Sequence, residues 1–369
     1  MTGRDALGSI DVDDAALAAM LGVDGIVDSA ASIVEYDLTT MTTGGRWWVE
    51  GTARLGQTDV AFRLFVKLVQ SATRSPVMAE IPVEFHDSIS SVLPWHIEPN
   101  AYRGNLSSLL PDGMRIPHSY AVADVDDDSC ALWLEAVIHD ESTWTLDRYR
   151  EAARMLGRFA ASRSVSTIDP GLTHPMGPTQ ARIYFENRLR GQFPAAYAEG
   201  GVWGHPAVAA HVDSTLRARL MSLIEVAPEL LDEIESLPLL NAHGDAAPQN
   251  LLAVPDGFCV IDWGFWTRAA VGFDLSQLVY SEVDLDRADA SAFRDIQQAC
   301  LSGYGEGLAQ EGTEIGEAAL KRAHTIQLAM AHGISAIPLD RLDGDPELAG
   351  RSTRERVVVL RHLLDDLGL

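Results

Sequence analysis

The periodicity of apolar residues changes once along the chain, and that change restricts the possible folds most. From Ser32 to about Leu68 the segments SIVEYDLTTM, RWWVEGTARL and VAFRLFVKLV are rich in β-branched and aromatic residues. The turn stretches TGG and GQTD separate them, which predicts three antiparallel strands. WHIEPNAYRGNLSSLL then has helical spacing, and two further strands are expected around the acidic turn DVDDDS. After LEAVIHDEST the period lengthens. In DRYREAARMLGRFAASRS the residues Tyr149, Ala152, Met155, Leu156 and Phe159 share one helix face, and helical segments follow around 178–198, 205–236, 274–283, 289–309 and 314–334. A small antiparallel sheet with one helix, then a larger mainly helical part, is an α+β arrangement. The expected division is a helical extension over 1–29, a sheet part over 30–137 and a helical part over 138–369. DVDDAALAAMLG, with its acidic start and Gly stop, supplies the helix of the extension.

One hairpin-like segment interrupts the helical part and collects polar residues. NAHGDAAPQN, residues 241–250, is followed after a short turn by CVIDWG, residues 259–264. Asp245, Asn250 and Asp262 put a carboxylate, an amide and a second carboxylate on the arms of one turn, where they can converge. Oxygen ligands of this kind suit Mg²⁺, which keeps water and phosphate oxygens in its remaining positions. Four residues separate Asp245 from Asn250, the interval of the kinase catalytic loop. There the Asp accepts the hydroxyl proton of the substrate, the Asn holds metal, and a later Asp holds metal too. The alternative is an ordinary β-hairpin with polar turn residues.

HGDAAPQN followed by VIDWG resembles the motif of the aminoglycoside phosphotransferase and choline kinase family. That resemblance implies a protein-kinase-like two-lobed fold and an ATP-dependent transfer of phosphate to a small-molecule hydroxyl. It makes Asp245 the catalytic base, His243 a support for the loop backbone, and Asn250 and Asp262 the Mg²⁺ ligands. Gly264 stands where the kinase metal-binding triplet ends, with Trp263 in place of the usual Phe.

Lys67 fits the same scheme. Only Lys67 and Lys321 among the 28 basic residues are lysines. In FRLFVKLV, Phe62, Leu64, Val66 and Leu68 share one strand face, so Lys67 lies on the other, where a buried ammonium needs an anion. Phosphates and a helix Glu would supply it; a Lys at a sheet edge is the plain alternative. The resemblance points to Glu98, three residues before Ala101-Tyr102, although Pro99 restricts it to the start of a helix and Glu80 and Glu84 compete. Gly44 and Gly45 are candidates for a phosphate-covering loop between the first two strands, or simply a turn. By the same resemblance Glu135 and Val137 in WLEAV would present backbone groups to adenine, and Asp274 would open a helix and brace the catalytic loop; an N-cap role for Asp274 is compatible.

Composition narrows the partners. The formal charge of -25 spreads without a basic stripe, which argues against nucleic acid. Cys130, Cys259 and Cys300 lack CxxC spacing, so neither a disulfide framework nor a zinc knuckle is expected. No apolar run approaches the roughly 18 residues of a membrane span, and a folded, soluble, cytoplasmic protein is expected. The run SEVDLDRAD, with Glu282, Asp284, Asp286 and Asp289, either faces a cationic acceptor or is a solvated helix terminus. Trp144 and Trp266 are stacking walls for the acceptor or members of the core. Against small-molecule kinase activity stand a nucleotide-binding regulatory module without turnover, a protein kinase, and a metal-dependent hydrolase using His243 and Asp245. The full set Lys67, Asp245, Asn250 and Asp262 speaks against the first, the missing APE segment and HRD Arg against the second. The lack of an HxxxH or HxH partner speaks against the third. No motif fixes the acceptor, the choice of ATP or GTP, or the oligomeric state.

Overall fold

The computed structural model describes residues 3–35, 40–175, 182–183, 185 and 190–369. Part of the strand expected over SIVEYDLTTM, the beginning of the helix expected at 178–198, and Met1 and Thr2 of the extension lie outside the described residues. The strands are β1 (Gly25–Ile33), β2 (Thr43–Leu55), β3 (Thr58–Gln70), β4 (Met114–Arg115), β5 (Ser119–Asp126), β6 (Ser129–Glu135), β7 (Leu239–Ala242), β8 (Leu251–Val254), β9 (Gly257–Val260) and β10 (Thr267–Ala270). The principal helices are α1 (Asp14–Leu21), α2 (Ile97–Arg103), α3 (Leu146–Ala161), α4 (Arg190–Glu199), α5 (Ser214–Glu235), α6 (Phe273–Asp284), α7 (Phe293–Gln310), α8 (Glu317–Leu328) and α9 (Pro346–Leu367). No described helix is long and apolar enough to cross a membrane.

Two compact units divide the chain. The first comprises Met1–Glu141, Ile168–His174 and Leu252–Phe265, the second Ser142–Thr167, Pro175–Leu251 and Trp266–Leu369. The division thus falls at Glu141/Ser142, four residues past the expected boundary, and two later segments belong to the first unit.

The first unit is built on a five-stranded sheet in the order β1-β2-β3-β6-β5, every neighbouring pair antiparallel. It starts at Gly25, inside the stretch expected to be helical, because only Asp14–Leu21 carries helix signals: Asp13 accepts a hydrogen bond from the Ala16 N–H, and Gly22 closes the helix at φ +66. Alternation gives the sheet two different faces. On one, Val49, Leu64, Val66, Ala131 and Trp133 form a core with Leu7, Ile10 and Leu17 of the amino-terminal extension. On the other, the register sets Arg46 beside Lys67 and Leu132, and Trp48 beside Phe65 and Leu134.

The extension is held to the sheet by Arg4, whose side chain is wholly buried. Its guanidinium donates to Asp11 Oδ1 at 2.8 Å, Ser29 Oγ at 2.6 Å and the Val12 carbonyl at 2.7 Å, and pairs with Asp14 at 2.9 Å. A buried charge so satisfied is expensive to truncate, since its partners lose theirs. Arg4→Ala is expected to destabilise the first unit by about 3 kcal/mol, read as a lower urea midpoint; an unchanged midpoint would detach the extension from the stability of the sheet.

Gly44 and Gly45 are placed differently from the expectation. They lie within β2, paired with β3, at a register shift between Thr43 and Gly45, and not in the connection between β1 and β2. Glycine suits a bulge, and a Cβ on Gly45 would come within 2.2 Å of the Trp47 ring.

In the second unit α3 carries Tyr149, Ala152, Met155, Leu156 and Phe159 on its buried face, as the spacing predicts. It packs closely along α7: a Cβ on Gly307 would sit 2.0 Å from the Arg154 carbonyl oxygen, so only glycine allows this approach. Helix α8 passes into a π-turn at Ala329–Gly333. Helix α9 adds to the expected elements. Asp345 caps it by accepting from the Glu347 and Leu348 N–H groups, Pro346 occupies its first turn, and Gly368 ends it at φ +75. The strands β7 and β10 pair antiparallel in this unit.

Candidate active site

In the first unit three predicted residues come together. Lys67 Nζ lies 2.6 Å from Glu98 Oε2 and 3.0 Å from Asp262 Oδ1. Strand β3 aims Lys67 away from the core, and Glu98 occupies the first turn of α2 with Pro99 following it. A carboxylate there is favoured by the exposed N–H groups of the helix start. Glu80 and Glu84 are exposed, so the partner is Glu98. Burial lowers the Lys67 ammonium, but Asp262 and Glu98 outweigh it and hold its pKa above the ordinary value. For Glu98, burial and the Asp262 charge push the carboxyl up while Lys67 pulls it down. Two carboxylates therefore share one ammonium, and the net effect on the buried Glu98 carboxyl is a pKa above its ordinary value. Asp262 adopts φ +62, a left-handed conformation that Asp tolerates better than most residues and that costs about 1 kcal/mol. Its carboxylate is one-third exposed, so it can face a cation as well as Lys67.

In the second unit the HGDAAPQN loop is fixed from beneath. Asp274, buried in the first turn of α6, accepts the His243 N–H on Oδ2 and the Gly244 N–H on Oδ1, both at 2.9 Å. Gly244 at φ +88 makes the turn that presents two successive N–H groups to one carboxylate. His243 is fully buried and its Nδ1 accepts the Asp245 N–H at 3.3 Å, which fixes that nitrogen as the unprotonated one. Asn250 Nδ2 donates to the Asp245 carbonyl at 2.8 Å and to Asp245 Oδ2 at 3.0 Å. Both partners are acceptors, so the amide nitrogen must face Asp245 and Asn250 Oδ1 is turned away. Asp245 itself is half-buried.

Asn250 and Asp262 each offer an oxygen of the kind Mg²⁺ takes. Among the described residues no group of three or more His, Cys, Asp or Glu is arranged to hold a metal ion. Each is a single oxygen donor, and Mg²⁺ commonly fills the rest of its sphere with phosphate and water.

Burial pushes the Asp274 carboxyl up to about 6, the Gly244 and His243 N–H groups offsetting only part. Its ordinary value is 3.8. Between the two the folded chain keeps a proton that the unfolded chain has released, so stability falls as pH rises through this window, by about 3 kcal/mol in all. Urea unfolding at about pH 5 and pH 7.5 should therefore show wild type losing about 1.5 kcal/mol more than Asp274→Asn. Equal losses would mean that Asp274 does not titrate there.

The remaining candidates fare unequally. The Glu135 N–H is donated to the His118 carbonyl at 2.9 Å, and its carboxylate accepts from Arg115 at 2.7 and 2.9 Å and from the His118 N–H at 3.0 Å. Burial opposes ionisation of Glu135, but Arg115 and that N–H prevail and hold its pKa below the usual range. The Val137 carbonyl accepts from the His139 ring at 3.2 Å. In the acidic run, Asp286 pairs with Arg341, Asp284 with Arg356 at 3.1 Å and Glu282 with Arg287 at 3.9 Å, while Asp289 accepts from the Ser291 N–H. The run is thus largely neutralised by the chain's own arginines. Trp266 is 2% exposed and belongs to the core; a buried indole offers no wall for a sugar. Trp144 is half-buried with its ring 4.9 Å from that of Tyr149.

Asn241 was not singled out by the sequence. Its amide donates to the Phe159, Ala160 and Ser162 carbonyls at 3.1–3.2 Å, tying β7 to the end of α3. A polar residue two positions before the His of HGD, in an otherwise apolar strand, was the available signal.

An antiparallel five-stranded sheet bearing a buried Lys-Glu pair, and a mainly helical unit carrying an Asp-Asn loop braced by a helix Asp, make this a protein of the protein-kinase-like fold. The chain belongs to the phosphotransferase enzyme family, whose family model matches residues 111–310, more than half its length. Among solved structures it is similar to choline kinase from Cryptosporidium parvum Iowa II, with 14% identity, a TM-score of 0.52, and coverage of 96% of this chain and 94% of that one. Ethanolamine kinase from Plasmodium vivax matches at 9% identity and a TM-score of 0.48, covering 92% and 85%. A spectinomycin phosphotransferase in complex with ADP and spectinomycin matches at 11% identity and a TM-score of 0.47, covering 96% and 99%. No curated protein matches the sequence significantly.

Proposed function

We propose that the protein is an ATP-dependent phosphotransferase that moves the γ-phosphoryl group to a hydroxyl of a small molecule. The observation that carries the reading is the Asp245–Asn250 pair: a half-exposed carboxylate that accepts one hydrogen bond from Asn250 Nδ2, which also holds the Asp245 carbonyl, in a loop whose backbone is clamped by Asp274. Such a carboxylate can orient an acceptor hydroxyl and take its proton as the oxygen attacks phosphorus and the bond to the bridging oxygen of the diphosphate breaks. Lys67 would pair with the nucleotide phosphates, held by Glu98 so that its ammonium does not wander. His243 shapes the loop through its Nδ1. Asn250 and Asp262 are the residues that would hold Mg²⁺, which when bound supplies charge neutralisation on the phosphates. Hydroxyl-bearing metabolites, sugars, amino alcohols and aminoglycosides are the acceptor classes to screen. The test is acceptor-dependent ADP release, with Asp245→Asn as the blank; release that is the same in the blank refutes the reading.

A further inference from the structure

Resting on that reading, we infer that Gln327 and Tyr304 are positioning residues for phosphoryl transfer: from α8 and α7 they fix the chain reversal at Val271 and Gly272 that aims the Asp274 carboxylate at the HGDAAPQN loop. The topology demands the reversal. Strand β10 runs away from that loop, since Thr267 pairs with Ala242 and Ala270 with Leu239. Asp274 nevertheless accepts the His243 and Gly244 N–H groups, both at 2.9 Å. The chain therefore doubles back within residues 271–273. Gly272 at φ +82 supplies the left-handed turn, which a residue with a Cβ adopts only under strain.

Glycine permits the turn but does not hold it. The Val271 N–H is donated to the Pro238 carbonyl at 3.2 Å, and the Val271 carbonyl accepts from Gln327 Nε2 at 2.9 Å. The same nitrogen donates to the Ala323 carbonyl one turn earlier on α8, at 3.1 Å, so the amide is aimed by its own helix. Both partners are acceptors, which sets the amide nitrogen toward the reversal. The next N–H, that of Gly272, is donated to Tyr304 Oη on α7 at 3.3 Å. Gln327 and Tyr304 are both buried. Burial, with the Asp274 charge, pushes the Tyr304 phenol up, so the accepting oxygen stays a neutral hydroxyl. Helix α8 lies directly against the turn: a Cβ on Gly272 would meet Leu320 Cδ1 at 3.4 Å and His324 Cβ at 3.9 Å.

Asp274 follows Gly272 by two residues, so any shift of the turn passes to a carboxylate whose two hydrogen bonds tolerate little change in distance or angle. Displacements of about 1 Å that start far from the reacting atoms can cost turnover heavily. The two side chains thus act on Asp245 through Asp274 and the loop backbone. Gln327 also lies beyond residues 111–310, the stretch that the family model matches.

The experiment compares the full chain with Gln327→Met, which keeps the length of the side chain without its amide, and with Tyr304→Phe, which loses only the hydroxyl. Leu216→Ala, a truncation in the buried face of α5, is the control for general destabilisation. Residue-resolved amide hydrogen exchange is read first. Protection of the His243 and Gly244 N–H groups is expected to fall roughly tenfold more than that of the α3 core amides in both variants, and no more than theirs in the control. Tyr304→Phe carries this test should Gln327→Met fail to fold. Acceptor-dependent ADP release is read second. Gln327→Met should lower kcat about tenfold with the KM for ATP within about twofold of wild type, yet lower it less than about twofold further in Asp274→Asn, where the clamp is already impaired. Loop amides that lose no more protection than the core, or kcat losses that multiply in Gln327→Met/Asp274→Asn, overturn the inference and leave the phosphotransferase reading intact. ADP release that is the same in wild type and Asp245→Asn overturns that reading instead, while exchange, which needs no acceptor, still decides whether Gln327 and Tyr304 hold the loop.

Discussion

Asp245→Asn is expected to lower phosphoryl transfer roughly a thousandfold while leaving nucleotide affinity within a fewfold of wild type. The substitution keeps the side-chain shape, and its amide oxygen can still accept from Asn250 Nδ2, whose second bond goes to the Asp245 carbonyl and does not involve the side chain. Asp274 continues to clamp the His243 and Gly244 N–H groups. What disappears is the capacity to take a proton, which is why the loss should appear in turnover and not in binding. Single-turnover transfer measured with saturating ATP separates the two. Transfer persisting near the wild-type rate with a proven acceptor would remove Asp245 from the role of base and leave it a loop-forming residue.

The loop was legible in the sequence because its parts interact locally. Asp245 and Asn250 are five residues apart, and turn geometry alone brings their side chains together. Lys67 was legible for another reason: strand alternation fixes the face of a residue without reference to what covers that face, and a buried lysine demands an anion. Its partner was harder, since Glu98 lies 31 residues on, across elements whose packing no local pattern encodes. Gly44 and Gly45 were misplaced because a glycine pair signals a turn and a bulge equally, and only the register of β2 against β3 separates them. The acidic run was ambiguous for a similar reason. Its neutralising residues Arg341 and Arg356 come from the chain's last stretch, more than fifty residues away. The resemblance expects Asp274 to open a helix and brace this loop, but that its two oxygens take the His243 and Gly244 N–H groups depends on α6 packing under residues 243–244.

Lys67→Met should do two things that a second substitution can separate. The Lys67 and Glu98 side chains are each only 6% exposed, and removing the ammonium leaves the Glu98 carboxylate buried beside Asp262 without its cation. Breaking one side of such a pair costs about 3–5 kcal/mol. With Lys67 gone the Glu98 carboxyl rises further above its ordinary value of 4.5. A folded-state pKa raised in this way means that the variant recovers stability as pH falls and loses it as pH rises through the folded value, so its deficit against wild type narrows on acidification. Lys67→Met/Glu98→Gln removes the stranded charge and should restore most of the stability, because a neutral amide is far cheaper to bury than a carboxylate. Phosphoryl transfer should stay as low in the double variant as in the single one, since the positive charge proposed to pair with the phosphates is missing from both. Urea unfolding and transfer rates on the two variants and on Glu98→Gln alone decide the matter. Recovery of transfer together with stability would show that Lys67 supports the fold only and that another group neutralises the phosphates.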